Sequence, residues 1–349
     1  MKKIVVVLCV LAGLVLGSIY FLNQFLSNKE SSLIEKKPLI IGFSMGTTRE
    51  ERWFKDRDLF IQKAQELGAT VSVTLSDYDV EKQIYHIENL VSQGARVIVV
   101  IPSDSEKIAP AIEKARQAGV KIIAYDRLIK NSDIDLYISF DNVKVGELQA
   151  ESILTVVGKG NFAYIGGSPT DNNAFLLKEG TMNIIDQKIA DGDIKLVVDK
   201  FADNWKPEEA YKAINDYLKS GKTLNAVIAA NDGTASGVIQ ALKEKGLAGK
   251  IPVSGQDAEL SAAQRIIAGA QTSTVYKPII SLANKAAELA VALANGQDLG
   301  TVDFVYNGKI EVPAYLLEPI IVNKKNMMGT IIKDGFHSYE EVYKSSLSQ

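Results

Sequence analysis

Two hydrophobic periods alternate along most of this chain. Short unbroken apolar runs recur at Leu39–Ile41, Val71–Leu75, Val97–Ile101 and Ile122–Tyr125. Between them apolar residues fall at helical spacing: Phe60, Ala64 and Leu67, then Ile84, Ile87 and Val91, then Ile108, Ile112 and Ala115. These patterns stop at Gly68, Gly94 and Gly119, and glycine readily takes the left-handed conformation that ends a helix. Apolar strands alternating with helices of this length predict a parallel sheet with helices on both faces. The pattern pauses at Leu136–Asn142 and resumes. Its second set of strands is Phe162–Ile165, Leu196–Val198, Ala226–Ala229 and Ile251–Ser254. The helices between are Val143–Val157, Asn173–Gln187, Pro207–Leu218, Gly233–Lys243 and Leu260–Ala268. A long helix at Pro278–Leu293 follows, and the irregular remainder, Gln297–Gln349, has to return the chain across both units. The predicted class is α/β, with two similar units of comparable size.

The polar residues fall in register with this pattern. The stretch Ile41–Asp58 breaks its strand at Gly42 and Gly46, and a helix is predicted from near Asp56. The loop between carries Arg52 and Trp53, read as an exposed pair. Ser103 and Asp104 follow the third strand, and Asp126 and Arg127 follow the fourth. In the second unit Ser168, Asp171, Asn172 and Asn173 follow a strand, as do Asn231-Asp232 and Gln256-Asp257. Open α/β sheets bind ligands at the carboxyl ends of their strands. Taken one at a time, Asp and Asn here could simply cap helices. Taken together they give both units a polar rim on the same edge, and two facing rims make a cleft. Asp, Asn and Arg suit the hydroxyls of a neutral polyol. An indole covers the C–H face of a sugar ring, and Trp53 and Trp205 supply one indole per unit.

Composition narrows the classes. A chain of 349 residues accommodates about two domains. A net charge of −3 gives no electrostatic footprint for nucleic acid. The single cysteine, Cys9, excludes an internal disulfide and a thiolate metal cluster. At the front, Lys2 and Lys3 precede the uncharged run Ile4–Leu22, close to the roughly 20 residues that span a bilayer. This run reads either as a secretory signal cleaved after Gly17 or as an uncleaved anchor with the rest of the chain outside the cell. Apolarity continuing through Ile19-Tyr20-Phe21-Leu22 favours the anchor.

Several strings resemble bacterial D-xylose-binding proteins of the type I periplasmic sugar-binding class. They are Glu51-Arg52-Trp53, Ala124-Tyr125-Asp126-Arg127, Tyr137–Asn142 and Gly166-Gly167-Ser168-Pro169 with Asp171-Asn172-Asn173. Others are Asn231-Asp232, Ser254-Gly255-Gln256-Asp257, Val275-Tyr276-Lys277-Pro278 and Lys333–His337. The resemblance spans Pro38–His337. It implies a two-lobed fold with three crossovers, near Asp141, Tyr276–Pro278 and Glu311–Pro313. It implies a first lobe of residues 38–140 plus 278–310 and a second of 141–277 plus 311–349, behind a membrane segment (1–26) and a tether (27–37). D-xylose would be held by Arg52, Trp53, Asp126 and Arg127 from the first lobe. Asp171, Asn173, Trp205, Asn231 and Asp257 would come from the second, with Lys277 reaching in from the hinge. No cofactor and no metal are implied.

The same resemblance implies a receptor that closes on sugar and performs no reaction. With an anchor at the front, the expected partner is a membrane sensor histidine kinase of a two-component system. The alternative partner is the permease of an ABC-type xylose importer, with the protein secreted or periplasmic after signal cleavage. Rival classes fare worse. A glycosidase needs a carboxylic acid and a carboxylate in distinct environments, and nothing marks either among Asp126, Asp171 and Asp257. Ser220-Gly221-Lys222-Thr223 resembles the end of a phosphate loop, but Asp216 stands where that loop needs glycine. His86 has no second metal ligand at useful spacing. A DNA-binding regulator would need a helix-turn-helix head where this chain has its apolar run.

Overall fold

The fold is taken from a computed structural model that describes residues 17, 18, 20–22, 24, 38–300 and 303–344. The predicted tether lies outside the described residues, as does most of the predicted membrane segment. Tyr20, Phe21 and Leu22 are helical and exposed. Among the described residues no helix is long and apolar enough to cross a membrane. By its contacts the chain divides into Met1–Pro38 and Leu39–Gln349. The second unit is described below.

Its larger sheet has seven strands. Five parallel ones are β1 (Leu39–Met45), β2 (Ala69–Leu75), β3 (Val97–Ile101), β4 (Lys121–Tyr125) and β5 (Leu136–Phe140). They are joined by β10 (Asp303–Tyr306) and β11 (Glu311–Leu317), giving the order β10-β11-β5-β4-β3-β1-β2. Only β10 runs antiparallel to its neighbour. Helices α1 (Arg52–Glu66) and α9 (Ile279–Ala294) cover one face around Phe43, Phe60, Tyr125, Leu282 and Ala286. Helices α2 (Val80–Ser92) and α3 (Ala109–Gln117) cover the other around Ile87, Ile98, Ile112 and Ile122. Burial on both faces is why β3 and β5 are buried at every position.

The second lobe is built likewise. Strands β6 (Gly160–Gly166), β7 (Ile194–Phe201) and β8 (Ala226–Ala229) form a parallel sheet in the order β7-β6-β8. Isolated bridges Val227–Val253 and Gln256–Val275 extend it towards the pair β9 (Ser273–Tyr276) and β12 (Ile320–Asn323). Helices α4 (Asn142–Leu154) and α5 (Asn172–Ala190) cover one face, and α6 (Pro207–Lys219) and α7 (Asp232–Glu244) the other. The short α8 (Leu260–Ala268) packs with Tyr276 of β9 and with the carboxyl-terminal segment at Phe336 and Val342.

Most elements lie within a residue or two of the sequence reading, with four differences. First, β1 runs on through Gly42 to Met45, paired with β2 and β3 on either side, and glycine at 42 makes room for the Leu90 side chain, which would lie 2.9 Å from a Cβ there. Second, α1 begins at Arg52 rather than near Asp56, and an Arg52–Asp56 ion pair at helical spacing closes its first turn. Third, Ile251–Ser254 is not a strand and contributes only bridging residues. Fourth, Glu311–Leu317 pairs with β5 in the first sheet. The third passage between lobes therefore falls between Leu317 and Ile320. The first two passages lie between β5 and α4 and between β9 and α9, as the sequence suggests.

Candidate functional site

Every residue that the sequence reading selects for the site lines one cavity between the two lobes. From the first lobe come Arg52, Trp53, Asp126 and Arg127. From the second come Asp171, Asn173, Trp205, Asn231 and Asp257, with Lys277 at the crossing after β9. Two residues not selected complete the lining, Glu50 and Gln256. The space that these side chains leave between the lobes is small.

The fold delivers these groups from strand ends. Asp126 and Arg127 leave the end of β4. The Asp126 backbone is left-handed (φ 61°) and its N–H donates to Ile138 O on the adjacent strand. Asp171 caps α5 by accepting the Asn173 N–H at 3.0 Å. Asn231 caps α7 in a reciprocal pair with Thr234. Both therefore cap helices and line the cavity, so the structural and functional readings of these positions coexist. Trp205 (φ 58°) and Asp257 (φ 91°) are also left-handed, which is costly for a bulky non-glycine residue and concentrates at functional sites. Trp205 seats its ring directly over Gly167, where a Cβ would come within 2.2 Å of the indole. Its Nε1 donates to Asp171 Oδ2 at 3.1 Å.

Arg52 and Trp53 are not exposed. They are 3% and 2% accessible, and this corrects the sequence reading. Arg52 lies under three carboxylates. Its Nε and Nη2 donate to Asp56 at 3.0 and 3.2 Å, and its Nη1 is 2.8 Å from Asp126 Oδ2 and 3.5 Å from Asp257 Oδ1. Asp257 belongs to the opposite lobe, so this guanidinium crosses the cleft. Tyr125 also donates to Asp56. The Trp53 Nε1 donates to Glu50 Oε2 at 2.5 Å, and Arg52 lies 4.4 Å over its ring.

Other contacts join the lobes around the cavity. Arg127 Nε pairs with Asp171 Oδ2 at 2.9 Å. Asn173 Nδ2 donates to Asp126 O at 3.0 Å. Lys277 Nζ sits 3.2 Å from Asp257 Oδ1 and 3.7 Å from Asp126 Oδ2. At the rim, Ser105 N and Oγ donate to Thr170 O at 2.9 and 2.7 Å, while Ser105 Oγ accepts from Asn172 N at 3.1 Å. The lobes are thus closed on each other. Asn172, Ser103, Asp104 and Ser168 lie outside the cavity lining.

The charges are held by one another. Burial works to raise the Asp126 carboxyl, but Arg52, Lys277 and Arg127 outweigh it and hold the group below its ordinary range. Burial raises Asp171 despite Arg127, and raises Asp56 despite Arg52. Burial works to lower Arg127, but Asp171, Tyr78 and Glu50 together outweigh it and hold the guanidinium firmly protonated. Four cavity atoms have no hydrogen-bond partner among the described residues: Glu50 Oε1, Arg127 Nη1, Asn173 Oδ1 and Gln256 Oε1. Asp126 Oδ2 and Asp257 Oδ1 are held by ion pairs alone. The cavity thus keeps acceptors and a donor that the protein does not use, flanked by two indoles. That is the polarity of a polyhydroxylated ligand. Among the described residues no group of three or more His, Cys, Asp or Glu is arranged to hold a metal ion.

Gln256 stands in the polar rim read from the sequence but is not selected as a contact, whereas Glu50 carries no distinctive sequence signal. Glu50 precedes the Glu51-Arg52-Trp53 string and reads as an ordinary polar-loop acid. Gln256 stands inside the Ser254–Asp257 string but is overshadowed by the neighbouring carboxylate.

Comparison with known proteins agrees with this geometry. A sequence profile described as a periplasmic binding protein domain matches residues 41–298. The D-xylose-binding periplasmic protein of Haemophilus influenzae is 49% identical over 314 residues, covering 90% of this chain and 95% of that one. Its Escherichia coli counterpart is 48% identical, covering 88% and 93%. Among solved structures, a carbohydrate transporter solute binding protein from Chloroflexus aurantiacus in complex with D-glucose superposes with a TM-score of 0.80 at 31% identity, covering 88% of this chain and 98% of that one. The two-lobed α/β architecture, the three passages between lobes and these matches lead to one conclusion: the chain belongs to the periplasmic binding protein family, with the type I fold of its sugar-binding members.

Proposed function

We propose that the protein is an extracytoplasmic D-xylose receptor that serves as the substrate-binding component of an ABC-type importer. The observation that carries this reading is the small closed cavity, in which indoles and unused hydrogen-bonding atoms from both lobes converge. The choice of D-xylose is supported by the names of relatives that are 49% and 48% identical. In this reading the indoles of Trp53 and Trp205 cover the apolar faces of the sugar ring. The carboxylates, amides and guanidinium groups of the ten predicted residues bind its hydroxyls. The site performs no reaction.

Binding works by closure. Arg52, Arg127 and Asn173 make contacts that exist only when the lobes meet. Such contacts lower the free energy that the sugar must supply to shift the population to the closed state. The closed surface is then what a membrane partner recognises.

The permease now ranks ahead of the sensor kinase. Solved relatives at 31% and 27% identity are described as transporter solute binding proteins. The ligand is tested by calorimetric titration with a panel of pentoses and hexoses. D-xylose should bind most tightly, and far tighter binding of arabinose or ribose would refute the assignment. The partner is tested by deleting the protein from its cell. Loss of radiolabelled xylose uptake is expected, whereas intact uptake with a lost transcriptional response to xylose would return the sensor reading.

A further inference from the structure

Glu50 is the one acidic residue of the cavity that lies outside the predicted sugar contacts. It is 6% exposed. Its two oxygens are in different situations. Oε2 accepts the Trp53 indole N–H at 2.5 Å. Oε1 is buried and has no hydrogen-bond partner among the described residues. No cation pairs with Glu50 within ion-pair distance among the described residues, unlike Asp126, Asp171 and Asp257.

A buried carboxylate oxygen left without a donor is expensive. Two of its surroundings ease that cost in part. Burial pushes the Glu50 carboxyl up, while the charge of Arg127 and the Trp53 N–H pull it down. Arg127 spends its Nε on Asp171 and its Nη2 on Tyr78 Oη at 3.4 Å, and its Nη1 has no hydrogen-bond partner. Glu50 and Arg127 therefore bring an unused acceptor and an unused donor to the same cavity. A sugar hydroxyl, which both donates and accepts, can use both.

We infer that Glu50 is a direct, specificity-determining sugar contact: one carboxylate oxygen fixes the Trp53 indole and the other accepts a hydrogen bond from a ligand hydroxyl. This rests on the reading of the cavity as a sugar site and adds a residue to it. The bland alternative is that Glu50 only orients Trp53. The two differ in what the ligand must offer. An orienting residue affects all ligands alike, whereas a contact is felt only by ligands that carry the hydroxyl it meets.

The test is a cycle of residue against hydroxyl on the full-length protein. Glu50→Gln keeps an oxygen for the Trp53 N–H and removes the charge. Glu50→Asp keeps the charge and draws it back by one methylene. Calorimetry would compare D-xylose with its four monodeoxy analogues on wild type and both variants, and thermal unfolding without sugar would check the fold. Each variant should bind D-xylose roughly tenfold more weakly. For one monodeoxy analogue, wild type and variants should bind equally. Equal losses for xylose and all four analogues would reduce Glu50 to an orienting residue and overturn the inference, as would unchanged xylose affinity. If wild type prefers another sugar to xylose, the ligand assignment fails while this inference does not. The deoxy series is then built on the preferred sugar, with the same two outcomes deciding.

Discussion

Replacing Arg52 by alanine tests whether the cleft is organised around one buried cation. Arg52 makes two hydrogen bonds to Asp56 and stands within ion-pair distance of Asp126 and Asp257. All three carboxylates are buried. Removing the guanidinium leaves Asp56 with the Tyr125 hydroxyl, Asp126 with Lys277 and the Asn173 amide, and Asp257 with Lys277 and the Gln256 amide. Breaking a buried pair from one side costs about 3–5 kcal/mol, because an uncompensated charge stays behind. Protonation sets a similar ceiling, since a carboxyl driven from about 4 to about 7 forfeits about 4 kcal/mol before it simply takes a proton at neutral pH. The expected loss at pH 7 is therefore about 3–5 kcal/mol, against about 1 kcal/mol or less for an exposed pair. The loss should also carry a pH signature. Asp126 is held below its ordinary range by Arg52, Lys277 and Arg127 against burial, so its contribution is complete above the ordinary carboxylate range and fades as pH falls. The gap between wild type and Arg52→Ala should be full at pH 7 and narrow as pH falls below about 4. Urea unfolding without sugar, followed by circular dichroism across that range, measures both. A gap below about 1 kcal/mol at pH 7, or one that does not shrink on acidification, would refute the reasoning.

Three further outcomes are expected. Gly167→Ala places a methyl where the Trp205 ring lies, so it should weaken sugar binding by roughly tenfold or more through displacement of the indole; unchanged calorimetric affinity would show that the ring position is not critical. Ser105→Ala removes two rim hydrogen bonds between the lobes. At about 0.5–1.5 kcal/mol each, the loss should appear mainly as faster sugar release in stopped-flow, and an unaltered release rate would show that the rim contributes nothing to closure. Asp232 is pushed up to about 7, chiefly by burial, against Arg265, Gln271 and Thr274. The folded protein then holds a proton that the unfolded chain has lost between about pH 4 and 7, so wild-type stability should fall as pH rises through that window, by up to about 1.4 kcal/mol per unit. Asp232→Asn should lack that slope in urea midpoints, and parallel slopes would refute the assignment.

The alternation of strands and helices was legible because strands buried on both faces must be apolar throughout, and β3 and β8 are. The site was legible for a related reason. Little in a core calls for Asp, Asn and Arg at the ends of such strands, so their clustering there points to a cleft. What the chain hides is set by distant partners. Trp53 and Arg52 read as exposed because they follow a glycine-bearing loop, and Asp126, Asp257 and the apolar cluster that bury them lie far along the sequence. Glu50 looks like any acid before a helix until the Trp53 indole and the cavity are placed beside it. The third passage, which the resemblance placed near Glu311–Pro313, lies farther on, and Pro313 does not mark it. That proline lies inside β11, paired with Phe304, and the next proline, Pro319, is the one at the crossing.

That late strand has a consequence for synthesis. β11 fills the place between β5 and β10, and Ala314 pairs with Tyr137. The second lobe's sheet β7-β6-β8 uses only residues made between these two strands. During elongation the first lobe therefore waits, with a buried strand uncovered at its edge, until nearly the whole polypeptide has emerged. An uncovered edge of this kind invites pairing with other chains. A chain terminated just before Glu311 would thus fail in its first-made lobe as well as its last, and would aggregate although it keeps every residue that lines the cavity.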